Sequence, residues 1–143
     1  MRFMMLIKAD KDSEAGVLPT KELVAAMGKF NEEMIKAGVM LAGEGLHASS
    51  KGARIKFSGA KRIVTGGPFP ATNELLAGFW IIQVKSKDEA IAWASRAPFG
   101  DGVELEVRQV FEASDFPADI LPPEDAAREQ AWRDEQQRKA ARP

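Results

Sequence analysis

The stretch FWIIQVKSKDEAIAWASRAPFGDGVELEVRQVF, residues 79–111, decides the fold. Phe79 to Val84 is a short run apolar on both faces and reads as a strand. Ser86-Lys-Asp-Glu89 has the form of a capping box: the serine side chain caps a helix start and the glutamate three residues on reaches back. The helix it opens is predicted to bury Ala90, Ile91, Trp93 and Ala94, and Pro98 stops it by disfavouring helical geometry just before it. Residues 103–111 then alternate, with Val103, Leu105, Val107 and Phe111 inward and Glu104, Glu106 and Arg108 outward. The unit is strand, helix, strand.

A second unit of the same kind precedes it. Residues 2–9 read as a strand with Phe3, Met5 and Ile7 on one face and Arg2, Met4, Leu6 and Lys8 on the other. Residues 10–19 are polar, contain Gly16 and Pro19, and read as a loop. Thr20 caps a helix in which Leu23, Met27, Phe30, Met34 and Ala37 recur at helical spacing, and Gly38 sits where a helix ends in a left-handed residue. Residues 39–46 resume as a strand, whose glycines imply close approach by a backbone or ligand. Between the two units lie a polar loop from His47 to Ala53, a hairpin over 54–65 and a Gly/Pro-rich loop over 66–78.

Two such units predict an α+β domain, a ferredoxin-like split βαβ antiparallel sheet with two helices on one face. The opposite face is then bare. It carries Met4, Leu6 and part of the 79–84 strand, bordered by Arg2, Lys8, Glu104, Glu106 and Arg108. An apolar centre with a charged border is the anatomy of a self-association surface or a pocket wall, so a homodimer through that face is expected.

Hydrophobic residues make up 45% and charged residues 29% of the 143 residues, which is globular usage. The domain is read over 1–116 and a charged helical tail over 117–143. In that tail Glu124–Arg128, Glu129–Arg133, Asp134–Arg138 and Glu135–Lys139 are acid-before-base pairs at helical spacing, and Trp132 is the main apolar bulk. The chain has no cysteine, which removes disulfides, thiolate nucleophiles and Cys-ligated metals. The N-terminal apolar run is shorter than a signal peptide needs, and a cytoplasmic location is expected. Net charge is −1 with Lys and Arg spread along the chain, so neither a nucleic-acid nor a membrane partner is expected.

The segments GVMLAGEGL (38–46), VTGGPF (64–69), GFWII (78–82) and DEAIAWA (88–94) with Pro98 together resemble the YCII-related family, in particular its branch marked by an Asp-Gly-Pro-Phe motif. The resemblance covers about residues 1–111. It implies a dimeric α+β barrel, two ferredoxin-like sheets packed bare face to bare face. In one branch of the family, members resembling chlorinated-aromatic dehydrochlorinases use a His and a carboxylate as an acid–base pair, the His lying between the first strand and first helix. Here residues 10–22 contain no histidine, and Gly66 stands where the motif has Asp. The Glu and Lys that often follow stand as Ala71 and Asn73, leaving Glu74 as the retained acid. Some relatives of this branch occur fused or linked to sigma factors, which implies a partner role as the other function class.

His47 is the only histidine and so the one side chain that titrates near neutral pH unaided. Near Glu44 it is a candidate general base; the alternative is a solvated loop residue. Catalytic candidates are therefore His47 and Glu74, with Glu44, Thr65, Gly66 and Trp80 as ligand-binding candidates, although Glu74 also suits a helical turn and Trp80 a core. One histidine without cysteines offers no metal site, and Gly43-Glu-Gly45 and Gly66-Gly67 lack the Lys and Ser/Thr of a phosphate loop, so no cofactor is expected. Two classes remain: binding or transformation of a small molecule beneath the 66–78 loop, and a non-catalytic partner protein using the tail.

Overall fold

The computed structural model describes residues 1–70 and 74–140; Ala71, Asn73 and the last residues of the tail lie outside them. The chain forms two compact units, Met1–Val110 and Phe111–Pro143.

In the first unit the elements run β1 (Arg2–Lys8), α1 (Lys11–Glu14), α2 (Lys21–Lys36), β2 (Met40–Gly45), β3 (Ala53–Ser58), β4 (Lys61–Gly66), β5 (Leu76–Gln83), α3 (Lys87–Ser95) and β6 (Leu105–Gln109). The main sheet has the order β2-β5-β1-β6 and every pair in it is antiparallel. That is the ferredoxin-like order expected from the two strand–helix–strand units. Phe3 lies opposite Ile82 and Met5 opposite Trp80, and this face packs on Phe30 and Met34 of α2 and Ala90 of α3. Both helices therefore cover one side. Met4 opposite Ile81 and Leu6 opposite Phe79 point to the other side, away from α2 and α3, and Glu106 and Arg108 lie beside them.

Local chemistry sets the helix ends. Thr20 Oγ1 accepts the Leu23 N–H at 3.1 Å and Ser86 Oγ accepts the Glu89 N–H at 3.1 Å. The Glu89 carboxylate reaches back one residue further than a standard box, to the Lys85 N–H at 2.9 Å. Gly38 has φ +71, and the bonds from Gly38 N–H to Ile35 and from Val39 N–H to Met34 close a Schellman turn. Val39 then buries against Met34 beneath that turn.

Several sequence expectations are corrected. The 10–19 loop contains the one-turn helix α1, because Asp10 accepts the Ser13 N–H while Ser13 Oγ accepts the Asp10 N–H. Val103 precedes β6 and is 38% exposed, and Phe111 belongs to the second unit and is 69% exposed, since only residues 105–109 pair with β1. Ile91 is likewise exposed, because α3 turns Ala90, Trp93 and Ala94 toward the sheet. The hairpin forms a two-stranded sheet of its own with Gly59 at φ +58 in the turn, and every residue of both strands is exposed. It also gathers basic charge: no acid occurs between Glu44 and Glu74, while Lys51, Arg54, Lys56, Lys61 and Arg62 do. The charge is thus less evenly spread than composition suggests.

In the second unit α4 spans Pro123–Ala140 and buries no residue. Of the expected pairs, Glu129–Arg133 at 4.0 Å and Glu135–Lys139 at 3.2 Å form; Arg128 instead takes Asp125 at 2.7 Å, and Asp134 accepts from Gln130. The Phe111 and Phe116 rings lie 5.1 Å apart. No helix among the described residues is long and apolar enough to cross a membrane.

Candidate functional site

The second of the paired glycines, Gly67, is explained by what it approaches, whereas Gly66 faces open space. A Cβ on Gly67 would sit 1.8 Å from the Ser49 carbonyl oxygen, so only glycine fits there. The Gly67 N–H donates to the Gly52 carbonyl at 3.1 Å, and the Phe69 N–H donates to Ser49 Oγ at 3.0 Å. Ser49 opens a short 3-10 turn, Ser49–Lys51, between β2 and β3. Its Oγ donates to Glu14 Oε1 at 2.5 Å and its N–H donates to Glu14 Oε2 at 2.9 Å. The Arg54 guanidinium stacks 4.1 Å from the centre of the Phe69 ring. Segments following β1, β2 and β4 thus converge at one corner, tied by one carboxylate and one hydroxyl.

The hydrogen bonds from the Ser49 hydroxyl and then from its amide hold the Glu14 carboxyl below its ordinary value. A depressed carboxylate contributes fully above its unfolded value of 4.5, and the contribution is lost as pH falls through the lower folded value. The protection of the Ser49 and Phe69 amides, their hydrogen exchange measured relative to the intrinsic rate at each pH, should therefore fall on acidification below pH 4.5. Ser49→Ala should show fast Phe69 exchange already at neutral pH, and an unchanged rate there would rule the network out.

The sequence-derived candidates are not all brought together here; Thr65 and Gly66 adjoin this corner. Thr65 and Gly66 end β4, paired with Arg54 and Ala53, and lead directly into Gly67. His47 is exposed, one residue beyond Leu46, whose N–H donates to the Ala77 carbonyl at 2.8 Å. Glu74 is exposed and precedes buried Leu75, whose carbonyl accepts the Ala9 N–H at 2.8 Å. His47 and Glu74 therefore share one end of the β2–β5 pair. Glu44 lies on the helix-free face opposite Phe79. Trp80 faces the other way, 3% exposed in the core, its indole N–H donating to Asn31 Oδ1 at 2.9 Å. Among the described residues no three His, Asp or Glu side chains converge as a metal site would require.

Glu14 and Ser49 were not singled out by sequence reading. Nothing in a polar loop marks one carboxylate above its neighbours. The usable signal was Gly66-Gly67, of which Gly67 has a close backbone neighbour that the sequence does not name.

On the helix-free face, Glu106 pairs with Lys8 at 3.4 Å and Arg108 at 3.2 Å. Hydrogen bonds from Arg108 and then Lys8 hold its carboxyl below the ordinary range. The border of the apolar patch is thus charged at neutral pH with opposite signs side by side.

No curated protein matches the chain. Among solved structures it is similar to 5-chloro-2-hydroxyhydroquinone dehydrochlorinase from Burkholderia phenoliruptrix AC1100, determined as a complex with 2,5-dihydroxybenzoquinone. That likeness has 16% identity and a TM-score of 0.46, covering 82% of this chain and all of the other. The model of the YCII-related domain matches residues 1–114, and with the ferredoxin-like order of its sheet in view, the chain belongs to the YCII-related family.

Proposed function

We propose that the Met1–Val110 unit acts as a homodimer through its helix-free sheet face and binds or transforms a small molecule at the Glu14–Ser49–Phe69 corner. The supporting observation is that network itself: it fixes the 66–69 loop against the 49–52 turn, and the exposed His47 precedes Ser49 by two residues. In this reading His47 exchanges a proton with the ligand, Glu74 supplies a carboxylate from the same end of the sheet, and Glu44, Thr65 and Gly66 make polar contacts. Trp80 supports β2 from beneath.

Catechol serves as a probe because an aromatic diol presents both a flat apolar face and hydroxyl protons. Titration should shift the His47 ring signals and the Gly67 and Phe69 amides. Loss of one hydrogen bond in His47→Ala should weaken binding about 5–10-fold, with the fold intact. Shifts absent at millimolar probe, or confined to other residues, would remove this corner from consideration.

The second unit favours an alternative, a non-catalytic module for a protein partner such as a sigma factor. Its helix buries nothing, and Trp132 is 54% exposed. Truncation after Phe116 should leave the first unit folded and its melting lowered by at most a few degrees. A chain that unfolds on truncation would show the tail to be structural and take away the alternative's best feature.

A further inference from the structure

Two exposed apolar features stand out in the Met1–Val110 unit. The first is the hairpin, which follows β2, one edge strand. Its pairing puts Ile55, Phe57 and Val64 on one face, exposed by 57%, 71% and 67%, while Arg54 and Lys56 share the opposite face with Lys61. An isolated two-stranded hairpin is marginal in water, and this one buries none of its strand residues. The second is a groove of about 380 Å³ beside β6, the other edge strand, lined by Ile91, Ala94, Phe99, Val103, Leu105 and Val107.

The groove suits protein side chains better than a polar small molecule. A small-molecule site needs convergent polar groups to orient its ligand. The polar side chain in this lining, Ser95, already donates its hydroxyl to the Ile91 carbonyl at 2.7 Å. Next in sequence to the lining stand the exposed acids Asp101 and Glu104, and the exposed Arg96, whose charge is already met by Glu33 at 2.6 Å. The hairpin region carries Lys51, Arg54, Lys56, Lys61 and Arg62 with no acid. Apolar surface thus matches apolar surface, and basic matches acidic.

We propose that the β3–β4 hairpin of one copy docks into the α3–β6 groove of a second copy. The proposal rests on the homodimer reading and says how the two features are covered. With two sheets face to face, a two-fold axis parallel to the strands brings the β2 margin of one copy beside the β6 margin of the other. Each copy then gives one hairpin and receives one, a closed and self-complementary arrangement. Among the described residues no strand pairs with the outer edge of β6, as such an arrangement requires, and an open edge otherwise invites uncontrolled association.

The absence of native cysteine makes a direct test available. Phe57→Cys and Val103→Cys replace exposed side chains, so both variants should fold. The two proteins, mixed and treated with a short bismaleimide linker, should give a covalent dimer joined between positions 57 and 103, at several-fold the yield of either variant alone. Peptide mass spectrometry identifies the joined positions, and light scattering on the unlinked mixture reports mass. No link from 57 to 103 in a protein that scatters as a dimer overturns the docking and leaves the homodimer standing. No link in a protein that scatters as a monomer overturns both. A double variant that links only within one chain assigns the hairpin to its own groove and overturns the proposal. Sedimentation of unlinked protein with phosphatidylserine vesicles assigns the hairpin to an anionic membrane surface and overturns it equally.

Discussion

Trp80→Ala should lower the stability of the Met1–Val110 unit by about 3–5 kcal/mol, as full truncation of a buried large aromatic does. The melting midpoint should fall on the order of 10 °C or more. The indole is 3% exposed and meets Phe30 edge to face, with ring centres 5.5 Å apart and planes at 83°. Phe99 stands against it at 6.2 Å. Its edge also fills the space above Gly43, where an added Cβ would lie 2.6 Å from the ring. The cavity left by alanine would border α2, β2 and the 97–99 segment together, and a rigid core collapses only partly into such a space. Urea unfolding followed by far-ultraviolet circular dichroism measures the loss. A cost below about 1 kcal/mol would mean that Trp80 is not the centre of this core. Trp80→Phe keeps a ring against Phe30 and gives up mainly the bond to Asn31, so it should cost much less.

Leu6→Asp should dissociate the proposed homodimer. Leu6 lies on the helix-free face opposite Phe79 on one side and Glu106 on the other. An aspartate there would be buried by association without a partner, beside a carboxylate that already engages Lys8 and Arg108. Stranding a charge costs about 3–5 kcal/mol, which raises the dissociation constant by about two to four decades. The substituted side chain stays in water in the separated copy, so the monomer should remain folded. Light scattering at micromolar concentration should give about twice the 15.6 kDa chain mass for wild type and the single chain mass for the variant. A wild-type monomer would end the dimer reading, and a variant that stays dimeric would move the interface to another surface.

Much of the fold was legible because it depends on spacing. The period of two in residues 2–8 and 105–109 and the helical recurrence of Leu23, Met27, Phe30 and Met34 each demand one buried side. With the caps at Thr20 and Ser86, they fix the order of elements without reference to distant contacts. Alternation failed at the ends of β6. Val103 and Phe111 continue the pattern in sequence, but the pairing with β1 stops at 105 and 109, and a pattern without a partner strand carries no burial.

The corner was less legible. The glycines and the loop could be read from composition, whereas Glu14 and Ser49 meet across 35 residues through side chains with no periodicity. Glu44 illustrates the same limit. Strict alternation along 39–46 would place it on the side of Met40, yet the register slips between Met40 and Ala42 and sends Glu44 to the helix-free face opposite Phe79. A one-residue bulge reverses every later side chain in a strand.

By itself, then, the sequence determined the two strand–helix–strand units, their caps and which residues of β1 and of the middle of β6 meet the helices, because these follow from local geometry and the free energy of burying apolar surface. Only the tertiary structure decided that Ser49 would be the hydroxyl holding the 66–69 loop, that Glu44 would turn outward and that the hairpin would stand apart from the sheet. Those outcomes depend on where separate segments meet, which a strand register can change by a single residue.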